Sequence, residues 1–241
     1  MISRLIVLFD KLIHPHTCSS ASFVKYLKKT GVIIGDNTVF VAPKRIVVDA
    51  GRREYITIGD NCVITEGVKI LAHDYSWSLL SVSHNEILPD PGKKVIIGNN
   101  VFIGVNATII GATIGDNTII GANSFVSGNL EGGYVYAGCP AKKICSLEDY
   151  YRKRKDRQIE DAFFRARFIK EKRNRYPTIE EMGWFAVLFL ERTQQNKEYL
   201  SKLSFVGKNK EHIVAIFMNT TPLFNGFDDF INCCFGGLKN G

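Results

Sequence analysis

From Val95 to Val126 an aliphatic side chain returns at every sixth position, at Ile97, Ile103 and Ile109. After one step of five it returns again at Ile114, Ile120 and Val126. Small or turn-forming residues follow several of them, as in Ile97-Gly98-Asn99-Asn100 and Ile114-Gly115-Asp116-Asn117. Six is the period of neither a helix nor a strand. The repeat predicts short parallel strands joined by tight turns, with each Ile pointing at an axis and each Gly or Asn taking a bend. Three faces close a turn, so about 18 residues bring the chain back one strand spacing, roughly 4.8 Å, above its start. Each layer buries its apolar row only against the next. The phase starts earlier, since Ile34-Gly35-Asp36-Asn37 leads to Phe40 and Ile46, and Ile58-Gly59-Asp60-Asn61 leads to Ile64 and Ile70. Ile34 to Ile58 is 24 residues, four hexads, so register survives a loop near Asp49 to Tyr55. Ile70 to Ile97 is 27, which marks an insertion.

Outside the repeat the pattern is helical. Residues 2 to 13 and 20 to 29 read as short helices covering the open strand edge of the first coil. For residues 2 to 13 the alternative is contact with a membrane surface. Ser146-Leu147-Glu148-Asp149 is a helix N-cap pattern opening a run through about Arg175, which Tyr176-Pro177 ends. Thr178-Ile179-Glu180-Glu181 starts another, continuing toward about Leu203. The expected organisation is an N-terminal helical cap (1–30), a coiled β domain (31–145) with an ejected loop (72–94), and a mostly helical extension (146–241).

Composition keeps this picture globular, with 45% hydrophobic and 23% charged residues. The net charge of +7 is uneven: Tyr151 to Arg175 holds 11 basic and 4 acidic residues. A solvated helix face with pairs such as Glu171–Arg175 accounts for this. An anionic polysaccharide, a lipid-linked acceptor or the phosphates of CoA would also fit. Nucleic acid does not, because no binding motif or interleaved aromatics accompany the charge. Six cysteines show no metal-site spacing and read as reduced thiols of a cytoplasmic protein, with Cys62 in the core.

The Ile-Gly-Asp/Asn-Asn repeats at 58–61, 97–100 and 114–117, with Ala137-Gly138-Cys139-Pro140-Ala141-Lys142 after the last coil, resemble the hexapeptide-repeat acyltransferases. Within them they resemble the maltose/galactoside and surface-polysaccharide O-acetyltransferases. The resemblance covers roughly residues 30 to 146. It implies a left-handed parallel β-helix, a homotrimer, acetyl-CoA as co-substrate, and a histidine base at the seam between subunits. Where relatives carry a sugar-binding asparagine this register has Pro43, which argues against a simple mono- or disaccharide acceptor.

The insertion carries two of the five histidines. His73 follows directly on Ile70-Leu71-Ala72, so it stands at the coil surface, where the resemblance also places the base. A structural histidine there, or His84 as the base, are the alternatives. A hydroxyl has a pKa far above neutrality, so a neutral imidazole within ~3 Å has to take its proton as the oxygen attacks a thioester. The other ring nitrogen then needs a partner to hold the tautomer, with Glu66 or a backbone carbonyl as candidates. Asp74, Trp77 and His84 are candidate acceptor contacts. Gly104, Gly111, Ala122 and Gly138 leave room for a pantetheine arm, and Lys142 and Lys143 could neutralise CoA phosphates. The leading function is acetyl-CoA-dependent O-acetylation of a sugar or surface-polysaccharide hydroxyl, the acceptor being a glycan or lipid-linked glycan. N-acetylation of an amino sugar or antibiotic, and a non-catalytic scaffold, are the alternatives. A metal site is not expected, because a zinc centre on such a coil needs three clustered histidines. A cytoplasmic location is expected, with the inner face of the membrane as the variant.

Overall fold

The computed structural model describes residues 13–49, 51–207 and 210–236. The helix expected at residues 2 to 13 lies outside them but for its last position. The chain divides into a first unit running to Tyr150 and a second made mainly from Tyr151 onward.

In the first unit the apolar rows stack as the repeat requires. Ile34 pairs with Ile58, Ile58 with Ile97 and Ile97 with Ile114, on strands β1 (Ile33–Ile34), β4 (Ile56–Ile58), β7 (Val95–Ile97) and β9 (Thr108–Ile114). A second face stacks Phe40, Ile64, Ile103 and Ile120, and a third stacks Val48, Ile70, Ile109 and Val126. All these pairings are parallel, so the chain winds as a coil around an Ile-filled axis. The side chain of Cys62 is also fully buried in that axis.

The register differs from the sequence reading at one place. Val48, not Ile46, pairs with Ile70. A 3₁₀ turn at Pro43–Arg45, entered through Ala42 at φ 54°, lengthens that face. The 24 residues from Ile34 to Ile58 are therefore strides of six, eight and ten, not four hexads. The five-residue step from Ile109 to Ile114 lies within the single strand β9, bent at Gly111 (φ 52°).

The Gly-Asp-Asn signature has a physical reason at each position. Gly59 cannot carry a Cβ, because it would lie 2.6 Å from the Gly98 carbonyl oxygen of the next coil. Side-chain oxygens of the next residue form a ladder between coils: the Asp36 N–H donates to Asp60 (2.6 Å), that of Asp60 to Asn99 (2.8 Å), and that of Asn99 to Asp116 (2.7 Å). Asn37, Asn61, Asn100 and Asn117 then turn the corner with φ of 55–58°, a region asparagine tolerates better than most residues. Helix α1 (Ser20–Lys29) covers the open edge. Its Phe23 meets Phe40 edge-on at 5.1 Å, and its Ser20 hydroxyl accepts from the Phe40 N–H at 3.0 Å. The other end closes with an antiparallel pair, β12 (Tyr134–Ala137) and β13 (Lys142–Ser146).

The second unit is helical around its own core. Helix Leu147–Arg173 begins where the Ser146 hydroxyl accepts from the Asp149 N–H at 3.0 Å. It stops at Asn174 in the left-handed region (φ 51°), which carries Arg175 out of the helix. The expected Glu171–Arg175 pair is therefore not formed, and Arg175 bonds Glu181 at 2.9 Å. The helix expected from Thr178 toward Leu203 is broken as well. Thr178 and Glu181 form a capping box for Ile179–Met182, but Gly183 (φ 56°) leads into a 3₁₀ turn at Gly183–Leu188 before Gln194–Lys202. Helices Lys210–Met218 and Phe227–Phe235 complete a core centred on Phe189 and Phe230. No helix among the described residues is long and apolar enough to cross a membrane.

Candidate active site

Two consecutive coils place one acid and one histidine together. Asp49 follows β3 (Val47–Val48), and its N–H donates to the Ile70 carbonyl at 2.9 Å, which docks it against the coil that ends in His73. The carboxylate of Asp49 meets Nδ1 of His73 in a close pair. Its side chain is 1% exposed and that of His73 is 14%. Oδ1 also accepts from the Gly51 N–H and Oδ2 from the Ala72 N–H, both at 2.9 Å. Burial works to raise the Asp49 pKa. The Ala72 and Gly51 N–H groups and His73 outweigh it, so the carboxyl stays below its ordinary value. An ionised acid on Nδ1 makes that nitrogen the donor and leaves Nε2 with its lone pair. Tyr75 stands edge-on to the imidazole at 4.9 Å between ring centroids.

The inserted loop is tied to the coil beside this pair. The Lys93 N–H donates to the Ala72 carbonyl at 2.6 Å, and Arg52 holds Asp90 at 3.1 Å. Asp74, a candidate acceptor contact, forms an ion pair with Lys93 and accepts from the Ser76 N–H at 3.0 Å. The lysine and serine hold its carboxyl well below the usual range. Its observed partners staple the two ends of the loop and start helix α2 (Ser76–His84). Trp77 is half-buried, with an indole N–H that has no hydrogen-bond partner among the described residues. His84 is exposed on the last turn of α2, where Nδ1 faces Ser83 Oγ at 2.8 Å and the Leu80 carbonyl at 3.1 Å.

The candidate donor residues separate into two places. Gly104, Ala122 and Gly138 lie at one corner on successive layers, next to the stacked positions Ile103, Ile120 and Tyr136. Gly104 is small because the coil demands it: a Cβ there would lie 2.5 Å from the Ala122 nitrogen. Gly111 sits at another corner, where its Cβ would be 3.1 Å from that of Lys93. Lys143 bonds Glu131 at 2.8 Å and lies 3.4 Å from the centre of the Tyr134 ring, and the glutamate raises its pKa. Lys142 is exposed beside it on β13.

The partner of His73 is the residue that sequence reasoning missed. Glu66 pairs with Arg45 instead. The available signal was an acid, Asp49, directly after an apolar run on the coil before the histidine. The misplaced Ile46 register concealed it.

Residues 94–127 match the family described as hexapeptide repeat of succinyl-transferase. Protein CapG of Staphylococcus aureus is 42% identical over 129 residues, which span 53% of this chain and 73% of that protein. Among solved structures, a galactoside acetyltransferase in complex with coenzyme A is 25% identical over 63% of this chain and 82% of its own, with a TM-score of 0.45. The polySia specific acetyltransferase NeuO is 28% identical with a TM-score of 0.37 over 48% of this chain, and the match spans about half, 51%, of its length.

Proposed function

We propose that this chain, a member of the hexapeptide-repeat acyltransferases with their left-handed parallel β-helix, is an acetyltransferase that moves an acetyl group from acetyl-CoA to a hydroxyl of a sugar or surface-polysaccharide unit, with His73 as general base. The observation that carries this reading is the buried Asp49 on Nδ1 of a partly exposed His73. Asp49 holds the tautomer in which Nε2 is basic. Nε2 takes the hydroxyl proton as that oxygen attacks the thioester carbonyl. The imidazolium, stabilised by the carboxylate, returns the proton to the departing thiolate. Transfer is direct, with one base and no acyl-enzyme.

The donor is assigned to the corner of Gly104, Ala122 and Gly138, with Gly111 beside the loop, and its phosphates to Lys142 and Lys143. The acceptor is assigned to the mouth of the loop, where Asp74, Trp77 and His84 lie on one short segment and the exposed Tyr75 ring offers an apolar face for a sugar. A homotrimer is part of the proposal. Leu79, Val82 and Ile87 of the loop are 71%, 81% and 94% exposed, which suits a neighbouring subunit walling the site.

The test is thiol release from acetyl-CoA with a glycan acceptor. His73→Ala should lower kcat by ~10²–10⁴-fold while leaving acetyl-CoA binding intact. Asp49→Asn should also lower kcat and shift the pH profile, whereas His84→Ala should leave kcat within about tenfold of the parent. A drop of tenfold or less for His73→Ala, or a larger one for His84→Ala, moves the base into the loop.

A further inference from the structure

The second unit holds an open cavity of about 720 Å³ whose lining includes none of the residues assigned above to acetyl transfer. That volume falls within the roughly 300–1,000 Å³ typical of small-molecule sites. Its lining is largely apolar, with the buried Leu188, Leu200 and Phe217 and the half-buried Trp184. Among the described residues two lining side chains carry charge, Lys155 and Arg192; both are positive, and no Asp or Glu of those residues lines the cavity.

Arg192 is not an ordinary surface arginine. Its Nε donates to the Thr220 carbonyl at 3.1 Å, and Nη1 donates to those of Val187 at 3.0 Å and Leu190 at 2.5 Å. The guanidinium carbon lies 4.3 Å from the centre of the Phe217 ring. Among the described residues no carboxylate pairs with it, and Nη2 has no acceptor. Burial pulls its pKa down, as for any cation removed from water without an anion beside it. A guanidinium nevertheless stays charged in a protein. Lys155, one long helix away, likewise has no acid partner among the described residues; its Nζ lies 5.8 Å from the Tyr151 ring.

We propose that this cavity binds a single-chain amphipathic anion, with an acyl or prenyl chain along Trp184, Leu188, Leu200 and Phe217 and a phosphate or carboxylate head against Arg192 and Lys155. The chain removes apolar surface from water on both sides. The head supplies the anionic partner that Arg192 lacks and an acceptor for its Nη2. A neutral amphiphile would leave the cation unpaired, and a cationic one would be repelled. The inference goes beyond acetyl transfer and does not rest on it.

Titration calorimetry on the full chain tests it, with dodecyl phosphate below its micellar concentration as the probe. One equivalent should bind, about tenfold or more tightly than dodecyl maltoside or dodecyltrimethylammonium, and inorganic phosphate alone should not compete. Arg192→Gln should erase the head-group preference. Because Arg192 also holds three backbone carbonyls, Lys155→Glu and Ile216→Glu at the exposed rim provide variants that spare the core. Each should weaken dodecyl phosphate binding about tenfold or more without changing circular dichroism or mass by light scattering. Absent binding, equal affinity for the three head groups, or indifference to both rim variants would overturn the proposal. So would a change of oligomeric mass in Ile216→Glu, which would assign the cavity to a second copy of the chain.

Discussion

The two units bury their cores by different rules. In the coil one residue type, recurring mostly every six positions, fills most of the axis: Ile58, Ile64, Ile97, Ile103, Ile109, Ile114 and Ile120 are all 1% exposed or less. In the second unit a ring cluster does that work. Phe163 and Phe189, from distant stretches of chain, and the nearby Phe224 and Phe227 all converge on Phe230 with centroids 4.8–6.2 Å from it. A repeated layer spreads its stability over equivalent neighbours, as expected of a quasi-one-dimensional stack. A convergent cluster concentrates it on one side chain.

The sharpest way to break this contrast is at Phe230. Phe230→Ala should cost ~3–5 kcal/mol locally. Leu223→Ala, at a residue 54% exposed, should cost about 0.5 kcal/mol or less. Hydrogen exchange across residues 151–205 reads both, and comparable losses would show that the cluster has no centre. In the coil the expectation is uniformity: Ile64→Ala, Ile103→Ala and Ile120→Ala, all on one face, should each cost ~2–5 kcal/mol and agree closely with one another. One outlier among the three would mean that the layers are not equivalent. Gly104→Ala should cost ~1–3 kcal/mol by overpacking, because the backbone of the next coil cannot give way.

The smallest effect is electrostatic and belongs to the second unit. Arg175, followed by the Thr178 N–H, lowers the Glu181 pKa from 4.5 to about 2. A depressed carboxyl contributes stability that is fully present above pH 4.5 and is lost as pH falls toward about 2. Glu181→Gln should therefore lower the melting temperature slightly at pH 7 and leave it unchanged near pH 2. An equal shift at both values would show that the loss is one of hydrogen bonding and not of charge.

The candidate site was only half legible. The position of His73 at the coil surface was legible because it directly follows a hexad, whatever the loop does. Its pairing with Asp49 was not, because pairing across coils depends on how many residues the intervening corners consume. Pro43–Arg45 consumes two more than the repeat allows. Asp74 reads from sequence as a free acid beside the base, yet Lys93, nineteen residues on, returns to neutralise it. Likewise, the pairing of Glu171 with Arg175 is right for an unbroken helix and fails because Asn174 ends it.

By itself the sequence determined the coil, its Ile-filled axis, its Gly-Asp-Asn corners and the position of the inserted loop. Each of these is a local property repeated at short range, and a period of six has few other ways to bury its apolar row. Only the tertiary structure decided which acid orients His73, how the loop is stapled, and how the phenylalanines of the second unit converge around Phe230. In those contacts, from 19 to more than 60 positions separate Asp74 from Lys93, Asp49 from His73, and Phe189 and Phe163 from Phe230. Their formation depends on corner lengths and helix ends that shift by one or two residues, and no periodicity in the chain records such shifts.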